Sequence, residues 1–249
     1  MNDRLQQTGG EVRLYVESAL RADIRIAAAE GQAHYLLHVM RARVGRRIRL
    51  FNGRDGEWLA GIAEVGKHRC IFECLNRIRA QSASPDIWLC FAPIKKTPAD
   101  YLAQKATELG VAVLQPVITR RTVVTRVNTE RLRANAIEAA EQSDRLTVPE
   151  VREPVALHSL LAGWPTERLL IFCDEAGDGL PLAQALRKSN SKSWTVLTGP
   201  EGGFDPVERD AIRAHPSVVP VSLGPRILRA DTAALGALSV FQAIAGDWS

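Results

Sequence analysis

Two short glycine-containing stretches near the C-terminus have the residue types of a ligand-binding pocket. The first is TVLTGPEGGF at residues 195–204, and the second is LGPRILRADT at residues 223–232. Each begins where an apolar, strand-like run ends and leads into a helix-like run. Glycine permits positive φ and lets a ligand approach main-chain N–H and C=O groups. Loops of this kind at neighbouring strand ends predict a pocket in an α/β sheet, although ordinary strand-to-helix turns have the same pattern.

The class of ligand is narrowed by two motifs that the sequence lacks. Neither a complete G-x-x-x-x-G-K-[ST] motif nor a G-x-G-x-x-G motif after a strand occurs. Their absence argues against a P-loop nucleotide and a Rossmann dinucleotide. A ligand without phosphates, held by backbone amides and an apolar wall, remains open.

The paired stretches resemble the signature of a known enzyme family. The segments LTGPEGGF (197–204) and LGPRILRADTA (223–233) are similar to those of the enzymes that methylate N3 of a uridine in the 16S RNA of the small ribosomal subunit. These enzymes are SPOUT methyltransferases. The resemblance therefore implies an α/β domain with a mainly parallel sheet and a trefoil knot. It also implies S-adenosylmethionine as cofactor, S-adenosylhomocysteine as product, and a homodimer.

The resemblance assigns the cofactor to main-chain groups of the two loops, with Leu223, Ile227 and Leu228 as an apolar wall. The predicted cofactor-binding residues are Leu197, Thr198, Gly199, Pro200, Glu201, Gly202, Gly203, Leu223, Gly224, Ile227, Leu228 and Arg229. Uridine N3 must lose a proton before it can attack a methyl group, and the negative charge then spreads to the carbonyl oxygens. Arg229 is the first candidate for stabilising that charge, and Glu201 is a candidate base. Alternatively, Arg229 could pair with Asp231 or a phosphate, and Glu201 could cap a turn.

Basic residues are concentrated in the first third of the chain. Residues 1–80 hold 14 Lys and Arg against 9 Asp and Glu, whereas residues 81–249 hold 18 against 19. Arginine binds phosphate with a two-pronged geometry that lysine lacks. The asymmetry predicts that one domain holds nucleic acid, although a solvated basic face is the alternative. The predicted RNA-binding residues are Arg41, Arg43, Arg46, Arg47, Arg120 and Arg121.

The patterns predict two domains with a boundary at residues 81–85, QSASP. Residues 1–80 contain short alternating runs with Asn-Gly and Asp-Gly turn signals, which predict a small β-barrel. This part resembles the PUA-like domain of the same family, with matches at His34, Leu36, Val39, Arg41, Gly45, Phe51, Gly53 and Gly56. Met40 and Arg46 depart from that pattern. Residues 81–249 alternate strands and helices, as expected of the methyltransferase domain, and KATELGV (105–111), RRTVV (120–124) and EAAEQSDR (138–145) also match.

Several local features are predicted from spacing. His34 and His38 lie four residues apart on a helix at residues 32–41, where a structural or RNA-facing role is favoured over a metal site. Thr97 is a predicted N-cap, and Asp205 with Glu208 forms a predicted capping box. Either Asp231 or Thr232 is expected to cap the last helix. That helix is apolar on nearly all sides, which predicts burial.

Composition limits the classes of protein. The chain has 249 residues, of which 46% are hydrophobic and 24% charged, as in a soluble globular protein. No apolar run of about 18 residues predicts a membrane span. The N-terminal residues lack a signal-peptide pattern, so a cytoplasmic location is expected. The four cysteines are expected to be reduced, and no metal site is predicted.

The leading interpretation is an RNA methyltransferase acting on 16S ribosomal RNA or the small subunit. One alternative is a non-enzymatic, RNA-binding ribosome assembly factor with a degenerate knot domain. Another is a SPOUT methyltransferase that modifies a different nucleotide. The intact glycine loops favour an enzyme, because a pure RNA binder needs no cofactor pocket.

Overall fold

The computed structural model describes residues 12–67, 69–94, 96–124, 126–175 and 179–248. The expectation about a leader at the N-terminus lies outside these residues. The described chain forms two compact units, the first comprising residues 12–83 with Ala140–Thr147 and the second the remainder. Within the described residues, no helix has the length and apolarity needed to cross a membrane.

The first unit is built on a sheet of five described strands. Its elements are β1 (Val12–Tyr15), β2 (Arg25–Ala27), α1 (Glu30–His34), a π-helical turn (Tyr35–Val39), β3 (Arg47–Phe51), β4 (Glu57–Val65) and β5 (Cys70–Arg79). The strand order is β1-β3-β4-β5-β2, with β1 parallel to β3 and the other pairs antiparallel. Alternate residues of β3 and β4, among them Ile48, Leu50 and Ile62, are buried with Leu36 in one core. The alternating pattern of β3 therefore predicted its buried face.

A buried arginine ties Ala140–Thr147 to the first unit. The side chain of Arg13 donates hydrogen bonds to the Glu57 carboxylate and to the backbone carbonyls of Ala140 and Arg145. Arg13 is only 6% exposed. Burial lowers the pKa of the Arg13 guanidinium, while its hydrogen bond to Glu57 acts in the opposite direction. No pattern in the sequence indicated that Ala140–Thr147 belongs with the first unit, because this segment lies far from Arg13 along the chain.

The second unit is a parallel sheet with helices. Its elements are β6 (Asp86–Phe91), α2 (Lys96–Glu108), β7 (Val113–Ile118), α3 (Thr129–Gln142), β8 (Glu150–Val151), β9 (Val155–Ala156), α4 (Leu157–Ala162), β10 (Leu169–Cys173), β11 (Leu180–Pro181), α5 (Leu182–Lys188), β12 (Ser193–Thr198), α6 (Pro206–Ala214), β13 (Val218–Ser222) and α7 (Ala230–Ala245). The last three residues of α3 are among those counted with the first unit. The strand order among the described residues is β11-β13-β10-β12-β6-β7-β8, and β9 also pairs with β7. All of these pairs are parallel.

Hydrophobic clusters cover both faces of the parallel sheet. On β12, Trp194 and Val196 belong to one cluster and Leu197 to the other. Burial on both faces explains why the strands read as continuous apolar runs. The prediction for α7 needs refinement: Ala237 and Phe241 are among its buried residues, but others, including Leu235, Val240 and Ile244, are only partly buried. The trefoil knot stays a prediction.

The helix starts differ in part from the predictions. Asp205 is the N-cap of α6, and its carboxylate accepts a hydrogen bond of 3.1 Å from the Val207 N–H. The predicted capping box is incomplete, because the Glu208 carboxylate accepts the Arg120 N–H at 2.9 Å. α2 starts at Lys96, so Thr97 lies inside its first turn and is not the N-cap.

The predicted cap of α7 was wrong. The helix begins at Ala230, and Arg229 occupies the N-cap position without a side-chain capping bond. Asp231 lies in the first turn, where its carboxylate accepts a hydrogen bond from the Thr232 N–H at 2.8 Å. The backbone thus enters the helix two or three residues earlier than the polar side chains indicated.

Replacing Arg13 with leucine is expected to lower the free energy of unfolding by about 3 kcal/mol, because Glu57 loses a partner in a buried site. The matched control is Arg25→Leu, which removes an exposed ion pair to Glu64 with an N–O distance of 3.1 Å. An exposed pair contributes about 0–1 kcal/mol. Urea unfolding of the full chain measures both changes, and equal losses would contradict the importance of the Arg13 network.

Candidate active site

Three strand ends meet at one edge of the parallel sheet. β10 lies between β13 and β12, with Phe172 opposite Leu197 and Cys173 opposite Val221. Since the strands are parallel, their carboxyl ends lie at the same edge. The expectation that the two glycine-containing loops leave neighbouring strands was therefore wrong. The residues that follow β10 lie between the loops and join the site.

A cavity of about 420 Å³ opens at this edge, which is within the usual range for small-molecule sites. It is lined by Cys173, Asp174, Glu175, Thr198, Gly199, Pro200, Glu201, Phe204, Val221, Ser222, Leu223, Gly224, Arg226, Ile227, Leu228, Arg229, Ala230 and Ala233. Nine of the twelve predicted cofactor-binding residues are in this set. Leu197, Gly202 and Gly203 are not, and their contact with a cofactor stays a prediction.

The first loop, residues 199–204, is shaped by its backbone and by what lies behind it. The Gly203 N–H donates a hydrogen bond of 3.0 Å to the Pro200 carbonyl and closes a tight turn. Gly203 has a φ of +67°, and a β-carbon there would overlap the Glu175 carboxylate. Leu197 is fully buried in the core behind the loop. Leu197 therefore supports the loop from the core, and Gly203 leaves room for the Glu175 carboxylate.

A buried carboxylate anchors the helix that follows the first loop. Asp174 comes directly after β10, and its side chain is 1% exposed. It forms ion pairs with Arg209 at 3.0 Å and with Arg213 at 2.6 Å, both from α6. The two arginines lie four residues apart, on one face of the helix. This spacing, together with an acidic residue at a strand end, was a signal that could have identified the anchor from the sequence.

The turn after β7 also contacts the first loop. The Arg120 guanidinium pairs with the Asp205 carboxylate at 3.0 Å, and the Arg121 guanidinium donates to the Gly202 carbonyl at 2.9 Å. Both arginines are exposed. They were predicted to contact RNA, and the structure gives each a partner beside the pocket. Their contact with RNA stays a prediction.

The second loop, residues 223–229, carries the expected apolar wall and Arg229. Gly224 has a φ of +107°, and its N–H donates to the Ser222 hydroxyl at 3.2 Å. Leu223 and Leu228 are partly buried, whereas Ile227 is 90% exposed. A large apolar side chain with that exposure at a cavity rim is available to pack against a ligand.

Four charged side chains of the cavity are not committed to protein partners. Glu175, Glu201, Arg226 and Arg229 line it, and within the described part of the chain they form no side-chain hydrogen bond or ion pair. The alternative pairing of Arg229 with Asp231 is therefore not formed. These groups can interact with a ligand without breaking a contact to another described residue.

The predicted RNA-binding arginines of the first unit differ in exposure. Arg41, Arg43 and Arg47 are exposed, and their side chains have no partner among the residues that the structure describes. Arg46 is half-buried and donates to the Met40 carbonyl at 3.1 Å. Three free guanidinium groups thus remain on one short segment.

The histidine pair of the first unit is not part of a metal-binding group. The rings of His34 and His38 have centroids 4.8 Å apart, and both residues are exposed. Across the described ranges, no set of three His, Cys, Asp or Glu residues is placed to hold a metal ion. All four cysteines are free thiols.

Comparison with known proteins gives the family. A family model described as an RNA methyltransferase domain matches residues 81–242, and one described as an RNA methyltransferase PUA domain matches residues 29–74. The chain is 33% identical to a ribosomal RNA small subunit methyltransferase E of Rickettsia conorii, over 91% of this chain and 93% of that protein.

Solved structures give the same result. The structure of a ribosomal RNA small subunit methyltransferase E from Neisseria gonorrhoeae, bound to S-adenosylmethionine, has a TM-score of 0.85 and 30% identity, covering 96% of this chain and all of that one. A structure from Legionella pneumophila, also with bound S-adenosylmethionine, has a TM-score of 0.83 and 28% identity, covering 95% and 99% of the two chains. The site geometry and these similarities lead to one conclusion: the chain belongs to the ribosomal RNA small subunit methyltransferase E family of RNA methyltransferases, with a PUA domain preceding the methyltransferase domain.

Proposed function

We propose that this protein transfers a methyl group from S-adenosylmethionine to N3 of a uridine in 16S ribosomal RNA, releasing S-adenosylhomocysteine. The observation that carries the proposal is the cavity formed by both signature loops at the carboxyl ends of β10, β12 and β13. Family membership supports the same reaction, because relatives of 28–30% identity were solved with this cofactor bound.

The cavity fits the chemistry of S-adenosylmethionine. It offers exposed backbone at the glycine-containing loops, an apolar wall at Leu223 and Leu228, and the uncommitted carboxylates of Glu175 and Glu201. When bound, the cofactor supplies an electrophilic methyl group on a positively charged sulfur. The work left to the protein is to hold the acceptor in line with that methyl group, which can lower a barrier by about 7–11 kcal/mol at best.

Two uncommitted side chains of the cavity can prepare the acceptor. We assign Glu201, which lines the cavity, the role of accepting the N3 proton of uridine. Arg229 stands at the N-terminus of α7, where its guanidinium can stabilise negative charge on the carbonyl oxygens of the deprotonated base. The positive end of the helix dipole acts in the same direction.

A cysteine of the cavity wall needs to stay unreactive toward a methyl donor. Burial raises the pKa of the Cys173 thiol to about 12. A thiol is nucleophilic as the thiolate, which is scarce at neutral pH for a group with that pKa. The raised pKa therefore disfavours a reaction of Cys173 with the methyl donor.

The exposed arginines of the first unit are proposed to bind the phosphates of the RNA. The guanidinium groups of Arg41, Arg43 and Arg47 have no partner among the described residues, and guanidinium groups form bidentate hydrogen bonds with phosphate. The substrate is 16S ribosomal RNA, either alone or within the small subunit. Since such RNA is made and assembled in the cytoplasm, we place the protein there.

We also propose a homodimer. Its support is the partly buried side of α7, where Leu235, Val240 and Ile244 retain exposed surface, and the exposed Ile227 just before that helix. Burying this apolar surface against a second copy would be favourable. We further propose the trefoil knot that the sequence resemblance implies.

The direct test of the reaction is in vitro methylation of 16S RNA, alone and within small subunits, followed by mass mapping of the modified nucleotide. We expect N3-methyluridine at one position. Failure to take up S-adenosylmethionine in calorimetry would favour a non-enzymatic RNA binder, and a methyl group on another nucleotide or on a ribose oxygen would contradict the assigned acceptor.

The chemical step is tested with Arg229→Ala. The matched control is Arg226→Ala, which removes the other arginine of the cavity. Loss of a charge-stabilising donor lowers turnover by about 10²–10³-fold. We expect this for Arg229→Ala at saturating cofactor, with cofactor affinity nearly unchanged, and a much smaller effect for Arg226→Ala. Loss of cofactor binding with normal turnover at saturation would rule out the assigned role of Arg229.

The double variant Arg43→Ala and Arg47→Ala is expected to weaken RNA binding while leaving cofactor binding unchanged. Each lost phosphate contact reduces the salt dependence of the affinity, by about one unit of slope at most. Filter binding at several salt concentrations measures both effects. Arg21→Ala, an exposed arginine of the same unit outside the 41–47 segment, is the control. Equal effects of the two changes would argue against a specific RNA surface.

Sedimentation velocity at micromolar concentration tests the homodimer. We expect a sedimenting species of twice the chain mass of 27.3 kDa. Val240→Glu places a charge on the partly buried side of α7 and is expected to shift the equilibrium toward monomer. A monomeric wild-type protein would contradict the proposal.

A further inference from the structure

Glu175 occupies an unusual place in the cavity. It follows β10 directly after Asp174, and its carboxylate packs over Gly203, where a β-carbon would overlap it. Glu175 lines the cavity and, within the described chain, has no hydrogen-bonding or ionic partner. The neighbouring Asp174 is different, because its charge is matched by Arg209 and Arg213. Among the described residues, this strand end thus presents one carboxylate paired with two arginines and one carboxylate without a cation partner.

The two small molecules of the proposed reaction differ in charge. S-adenosylmethionine carries a positive sulfonium, whereas the sulfur of S-adenosylhomocysteine is a neutral thioether. The rest of the two molecules is the same. A fixed negative charge on the cavity wall therefore stabilises the donor more than the product. The Debye length at physiological ionic strength is about 8 Å, so salt screens the interaction between a wall charge and a ligand in contact with that wall only weakly.

We infer that Glu175 is a specificity-determining residue, whose carboxylate favours the methyl donor, with its positive sulfonium, over the product, whose sulfur is neutral. The inference rests on the proposed cofactor and assigns this residue a role of its own. Because methyl transfer removes the positive charge, the attraction to Glu175 is lost at that moment, which weakens retention of the product.

The other acidic residues of the cavity are less suited to this role. Asp174 is neutralised by two arginines. Glu201 lies on the first loop, where its carboxylate is proposed to take up the uridine proton, and it would become neutral in doing so. Within the described chain Glu175 has no cation partner, and no step of the proposed reaction delivers a proton to it. Its charge persists through the reaction.

The test is calorimetric binding of S-adenosylmethionine and S-adenosylhomocysteine to the wild-type protein and to Glu175→Gln. We expect the ratio of the two affinities to fall by about two- to fivefold in the variant, the range for one partly solvated ion pair. The loss should fall on the donor and shrink at high salt. Sinefungin, in which a protonated amine replaces the methylated sulfur, should behave as the donor does.

Glu167→Gln is the matched control. Glu167 is exposed and precedes the same strand, β10, at the end opposite to Glu175, and it does not line the cavity. The change in net charge is identical, so we expect an unaltered affinity ratio. Glu175→Asp, which keeps the charge, should retain most of the preference.

Two results would overturn the inference while leaving the proposed function in place. One is an unchanged affinity ratio in Glu175→Gln; if both affinities fall equally, the residue has a role in shape. The other is a fall in the ratio of the same size in Glu167→Gln. A wild-type protein that binds neither molecule would instead refute the proposed function, and this inference with it.

Discussion

The parallel pairing of β10 with both β12 and β13 determines where the cavity of the second unit lies. Parallel strands end at the same edge, so this pairing brings three carboxyl ends together. Two of the ends continue into glycine-containing loops, and the third supplies Asp174 and Glu175. A cofactor bound there would contact parts of the chain that are about fifty residues apart in sequence. The sheet, through its strand order, is the framework of the pocket.

In both units, a buried charged side chain forms hydrogen bonds or ion pairs that anchor a segment outside the sheet. In the second unit, Asp174 binds Arg209 and Arg213 and fixes the helix that follows the first loop. In the first unit, Arg13 binds Glu57 and two backbone carbonyls. A buried ion is costly unless each of its hydrogen-bonding groups is matched. Each network therefore specifies one arrangement of its segment, and the Asp174 network keeps the first loop in place beside the cavity.

Much of the fold follows from local patterns. Three features could be predicted from the sequence because each depends on neighbouring residues. They are the alternation at Arg47–Phe51, the continuous apolar runs of the parallel strands and the N-cap at Asp205. The two glycine-containing loops could also be predicted, from their glycines and from the family resemblance. They account for most of the residues that line the cavity.

The remaining features depend on contacts between distant parts of the chain. Which strand lies between β12 and β13 is decided by the packing of the whole sheet, so the place of Glu175 in the cavity could not be predicted. The joining of Ala140–Thr147 to the first unit depends on Arg13, which lies more than 120 residues earlier. The charges of Arg120 and Arg121 were evident from the sequence, but their partners could not be predicted, because an exposed arginine can bind either RNA phosphates or protein groups.

The central claim is that one cofactor touches the ends of all three strands. Hydrogen–deuterium exchange with and without S-adenosylmethionine tests it most directly, because each strand end is read separately. We predict slower exchange in three separate segments, at residues 173–175, 199–204 and 223–229, with no change at residues 41–47. Protection confined to the two glycine-containing loops, or found only in the first unit, would contradict this account of the site.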